Sequence, residues 1–137
     1  MRINLFAFYQ RLMSVDICSR ARYADRMDAS VSQPHPAPED FRLAVILAAL
    51  ADPARLAAVR TLAAKGESPC SRLQHDAGLT ISRTTFSHHQ KVLREAGIIL
   101  ARVRGTERIL SLRIDDLDQR YPGLLDAILN APDDLPE

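Results

Sequence analysis

The stretch that most constrains this chain is residues 79–97, Leu-Thr-Ile-Ser-Arg-Thr-Thr-Phe-Ser-His-His-Gln-Lys-Val-Leu-Arg-Glu-Ala-Gly, preceded by Gly78 and closed by Gly97. Laid on a helix at about 100° per residue from Phe86, the positions Ser82, His89, Leu93, Ala96 and Gly97 share one broad side. Thr84, Ser87, His88, Lys91 and Glu95 fall on the other. The first side suits packing. The second gathers hydroxyls, imidazole and cations that are costly in a core without partners but can donate to phosphates and base edges. Taken alone, this is equally a solvated amphipathic helix, so the flanking residues must decide.

Upstream, Ser68-Pro69 reads as the start of a short helix that runs to Ala77 and stops at Gly78. Gly78-Leu79-Thr80 is then a tight turn, with Ser82 or Thr80 capping the next helix. Two helices joined this way, the second polar and basic, make a helix-turn-helix. Downstream, residues 98–103 are rich in strand formers and residues 108–114 alternate with period two. Arg104-Gly105-Thr106-Glu107 supplies the turn between them, so the pair predicts a β-hairpin, in the position of a wing. Arg102, Arg104 and Arg108 cluster near its tip, where they can reach phosphates or the minor groove; edge-strand solubility is the plainer reading of the same charges.

The rest of the chain falls into place around this unit. Residues 1–38 read as a leader and a Pro-rich linker, poorly ordered, with Met13 and Met27 as alternative starts. Residues 39–130 form the domain. Its first helix, 39–50, is apolar nearly all round, which suggests a partner chain. Asp52-Pro53 opens a second helix that runs to about Lys65 and closes at Gly66. A last short helix begins near Tyr121 and ends by Asn130, and residues 131–137 form an acidic tail. The fold class is α+β, mostly helical: a winged helix-turn-helix with a two-stranded hairpin wing and terminal dimerisation helices.

Composition narrows the function classes. The longest apolar run, residues 43–51, is nine long, well short of the roughly 18 a membrane span requires. Two cysteines are too few for a disulfide scaffold, and no secretory signal is visible, so a soluble cytoplasmic protein is expected. The net charge of +1 conceals a segregation: residues 79–113 hold seven basic and two acidic side chains, residues 114–137 one basic and seven acidic. A polyanion meets the first block. No Gly-rich phosphate loop, nucleophile elbow or His-Glu-x-x-His is present, so no enzyme and no cofactor are predicted.

Three segments, Ala49-Leu50-Ala51-Asp52-Pro53-Ala54-Arg55-Leu56, then Ser87-His88-His89-Gln90-Lys91-Val92-Leu93-Arg94-Glu95-Ala96-Gly97, then Arg104-Gly105, carry a resemblance to a known family. In this order, across residues 41–129, they resemble the ArsR/SmtB family of bacterial winged-helix repressors. The resemblance implies a homodimer held by its first and last helices, on an inverted-repeat operator in double-stranded DNA, released by a ligand or modification. Phe41, Val45, Ile46, Leu124, Leu125 and Ile128 are the corresponding dimerisation candidates. The departures lie where such proteins sense. Cys70 has no second thiol beside it, the last helix has no His, and Gln90 stands where the family usually has Leu. Neither usual metal site can be assembled, and no metal is predicted.

The DNA-binding candidates are Ser82, Arg83, Thr84, Thr85, Ser87, His88 and Lys91 on the helix, with Arg102, Arg104 and Arg108 on the wing. His88 and His89 point about 100° apart and would not chelate one ion. Cys70, near a helix start, is a possible sensor, although a small buried hydrophobe is the plainer reading. Two other functions stay open: a winged-helix module that binds protein, and a thiol-based redox regulator switching through Cys70.

Overall fold

The helix boundaries follow from capping chemistry. In the computed structural model, which describes residues 35–132, a 3-10 turn at Pro38–Asp40 precedes α1 (Leu43–Leu50). α2 (Pro53–Lys65) starts with Asp52 as N-cap, its carboxylate accepting from the Arg55 N–H at 3.1 Å, and Pro53 in the first turn, where a missing N–H costs nothing. β1 (Ser68–Pro69), α3 (Cys70–Asp76), α4 (Arg83–Glu95), β2 (Ile99–Arg104), β3 (Glu107–Leu112), α5 (Ile114–Arg120) and α6 (Leu124–Asn130) follow. The sheet is antiparallel in the order β1-β3-β2.

Several sequence expectations are corrected. Ser68-Pro69 does not open a helix: it pairs with Leu110 and Ile109 as a third, edge strand, a place that tolerates a proline without an N–H to donate. α1 is shorter than expected, because the acidic residues Glu39 and Asp40 belong to the 3-10 turn. The link between α3 and α4 is residues 77–82, longer than three residues, since Gly78 and Leu79 turn their N–H groups back to His75 and Gln74 to close α3. Gln74 Nε2 then donates to the Ile81 carbonyl at 2.6 Å and fixes that link. The final helix starts later than expected, at Leu124, and an unpredicted helix, α5, precedes it; the two are separated at Tyr121-Pro122-Gly123, where the proline drives its predecessor out of helical backbone (Tyr121 φ −134°, ψ 78°).

The last residues of the Pro-rich linker are part of the domain. His35 Nε2 accepts from the Ala101 N–H at 3.0 Å, and the Pro36 carbonyl accepts from Arg113 at 2.7 Å. The rest of the leader, Cys18 included, lies outside the described residues.

One core joins these elements. Ile46 and Leu50 of α1, Val59 and Leu62 of α2, Leu73 of α3, Phe86 and Leu93 of α4, Ile99 and Leu110 of the sheet, Leu117 and Leu125 of the last helices are all buried in it. Gly97 ends α4 with φ 87°, and a Cβ there would lie 2.2 Å from the Phe41 ring, so only glycine lets α4 finish against that aromatic.

Candidate nucleic-acid interface

α4 is held from behind and open in front. Ser82 Oγ accepts from the Thr85 N–H at 3.1 Å and lies 2.9 Å from Thr85 Oγ1, so these two hydroxyls cap the helix. Phe86 and Leu93 anchor its inner side. Half-buried His89 fastens it to the start of α2: Arg55 Nη1 donates to His89 Nδ1 at 3.1 Å, His89 Nε2 lies 4.0 Å from Asp52 Oδ1, and Arg55 Nε donates to the Ala49 carbonyl at 2.6 Å. Burial works to raise the Asp52 carboxyl, but the N–H groups of Arg55 and Ala54, the Arg55 charge and the nearby His89 ring outweigh it and hold the group below its ordinary value.

Thr84, Ser87, His88 and Lys91 are exposed on the side where the helical count puts them, and Arg83 and Thr85, which that count does not assign, are exposed as well. Lys91 leans 3.9 Å toward Glu95 one turn on. Among the described residues, Arg83, Thr84, Ser87 and His88 have no side-chain hydrogen bond.

The wing reaches the same side. A two-residue turn, Gly105-Thr106, joins β2 to β3 with Gly105 at φ 64°, the geometry that matches the twist of a tight hairpin. Arg83 and Ser87 of α4 line one cleft with Thr106, Glu107 and Arg108 of the wing and Ser71 of α3. Burial and the neighbouring Arg108 together lower the Arg94 guanidinium from its ordinary value, against the pull of Glu95.

Two groups of cations depart from the sequence picture. Arg102 and Arg104 both pair with Glu67, at 2.5 and 3.5 Å, while remaining partly exposed. Arg113, counted in the cationic block, is buried: it bonds Asp116 at 3.1 Å and lies over the Phe41 ring at 4.8 Å. Glu67 was missed because its partners are 35 and 37 positions away.

Of the dimerisation candidates, Phe41, Ile46 and Leu125 are buried within the chain itself, so their cover needs no partner. Val45 is 45% exposed, and Leu124 and Ile128 are half-buried. The apolar side chains left open include Leu43 (43%) and Leu47 (46%) of the helix read as apolar nearly all round, and Ile114 (49%), which the sequence reading did not single out.

Cys70 is the first residue of α3, partly buried, with Gln90 Nε2 donating to its sulfur at 2.7 Å. Among the described residues no three His, Cys, Asp or Glu converge as for a metal ion, and no helix is long and apolar enough to cross a membrane.

No family model matches the chain. It is 37% identical over 91 residues to an uncharacterized HTH-type transcriptional regulator, YceK, of Bacillus subtilis strain 168, a match covering 66% of this chain and 89% of that protein. The structure resembles a crystal structure of an ArsR family transcriptional regulator, with TM-score 0.50 and 26% identity over 63% of this chain and 84% of that one. It also resembles a possible transcriptional regulatory protein (fragment 1-100) from Mycobacterium bovis, with TM-score 0.51 and 26% identity over 65% of this chain and 91% of that one. With the helix-turn-helix, the wing and these relatives in agreement, the chain belongs to the ArsR family of DNA-binding transcriptional regulators, a family without enzymatic activity.

Proposed function

We propose that the chain is a cytoplasmic homodimeric repressor that grips an inverted-repeat operator. The observation that carries this reading is the meeting of Arg83 and Ser87 of α4 with Arg108 of the wing around one cleft, which makes a single cationic surface from two elements. α4 enters the major groove with Thr84, Ser87 and His88 near base edges and with Arg83 and Lys91 on phosphates. Ser82 and Thr85 set the start of the helix, and the wing arginines hold the flanking backbone. A second copy packs against side chains that the chain leaves open, Leu43, Val45, Leu47 and Ile114, and against half-buried Leu124 and Ile128. Two-fold symmetry then sets the half-sites about one helical turn apart.

Gel retardation with the DNA upstream of the protein's own gene, against random DNA at two salt concentrations, tests the reading. Sequence-selective retardation that weakens with salt is the expected result; no retardation at low salt overturns it in favour of a protein-binding module. Light scattering on the wild type and Leu47→Glu tests the dimer, which the charge should split into monomers. A monomeric wild type removes the two-fold operator.

A further inference from the structure

The cleft between α3, α4 and the wing has a volume of about 290 Å³, and its inner part is built unlike a phosphate contact. Phe86 and Pro69 give it an apolar wall. At its inner end stand Cys70 and Gln90, the latter only 3% exposed. The Gln90 amide donates one of its two N–H groups to the Cys70 sulfur, and its oxygen, Oε1, has no hydrogen-bond partner among the described residues. Buried amide oxygens are normally bonded, so this acceptor is matched to a donor the chain does not supply.

The lining specifies what fits. Arg83 and Arg108 offer guanidinium forks suited to a carboxylate. Glu107 lines the same cleft and opposes a doubly charged anion. The Phe86 wall takes an apolar body, and Gln90 Oε1 takes an O–H or N–H. A duplex is too broad to enter the cleft.

We infer that this cleft binds a small monocarboxylic acid bearing an apolar body and a hydroxyl or amino donor, and that the bound acid withdraws Arg83, Ser87 and Arg108 from DNA. The second half rests on the operator reading above; the first does not.

The test uses the full ¹⁵N-labelled chain and 4-hydroxybenzoate as probe, raised to about 10 mM. Saturable shifts centred on the amides of Cys70, Gln90 and Thr106, with a Kd of about 1 mM or tighter, are expected. In a Cys18→Ser background the probe should slow alkylation of Cys70 by iodoacetamide. Gln90→Leu, an apolar replacement of similar size whose folding the same spectra verify, should weaken the probe by at least about tenfold. Benzoate, without the donor, and 4-hydroxybenzyl alcohol, without the charge, should each bind more weakly. Absent shifts, shifts elsewhere, or unchanged affinity in Gln90→Leu overturn the site. In gel retardation, saturating probe should release DNA beyond the effect of sodium acetate at equal ionic strength. Equal effects overturn the regulatory half, whereas a chain that takes the probe but never retards DNA refutes the operator reading and leaves the cleft assigned.

Discussion

The recognition helix and the wing contribute to one surface but are built on opposite terms. α4 is capped by Ser82, rooted in the core by Phe86 and Leu93 and tied to α2 through His89 and Arg55, so Thr84, Ser87 and His88 stand on a fixed backbone. The wing is a hairpin closed by a two-residue turn, and two of its three arginines, Arg102 and Arg104, are partly exposed and compensated by Glu67. The contrast matches the two demands of DNA recognition. Telling one base from another requires donors already in place, whereas phosphate oxygens accept a cation from many directions.

The comparison can be broken most severely at its root. Phe86→Ala empties a core site and should cost about 3–5 kcal/mol of stability. Val103→Ala on the exposed wing should change stability by no more than about 0.5 kcal/mol; urea denaturation of the pair measures the difference. Thr84→Ala and Ser87→Ala should each lose about 1–3 kcal/mol of operator affinity while leaving random DNA unaffected, as competition gels would show. If both substitutions weaken random DNA as much, α4 is not reading bases.

The link behind α4 comes next. Asp52→Ala should cost about 0.5–2 kcal/mol through the lost cap. The Asp52 carboxyl lies below its ordinary value, so its stabilisation is complete above the unfolded value of about 3.9 and is lost as pH falls through the folded one. Asp52→Asn keeps a capping oxygen without the titration, and its acid unfolding curve should lack that component. The smallest effects belong to the wing: Arg104→Ala should lower affinity alike on all sequences and reduce the salt slope by about 1. Glu67→Gln should raise affinity alike on all sequences by releasing both arginines, and a fall would show that Glu67 positions them.

What was legible in the sequence was local. Asp52-Pro53, Ser82 and Gly97 mark helix ends by chemistry within a few residues, and Gly105 marks the hairpin. What escaped was set across the chain. β1 is two residues long, and half of it is a proline that ordinarily argues against a strand. Pro36 and Pro38 exclude α-helix and central strand but not docking, which the buried Pro38 and the bonded His35 make plain. Arg113 counts as one more cation in a basic block until the Phe41 ring and Asp116 enclose it. The break at Pro122 was in view, and placing it at a helix start overlooked its effect on Tyr121.

Phe41 touches more of the molecule than its place ahead of α1 suggests. Its carbonyl accepts from the Tyr121 hydroxyl, its ring lies under Arg113, and its edge presses on Gly97 where α4 stops. A ring wedged against bare backbone has no slack. A tilt imposed on α1 would therefore press on the tail of α4 and, in the homodimer proposed above, would change the spacing that the two copies present to DNA.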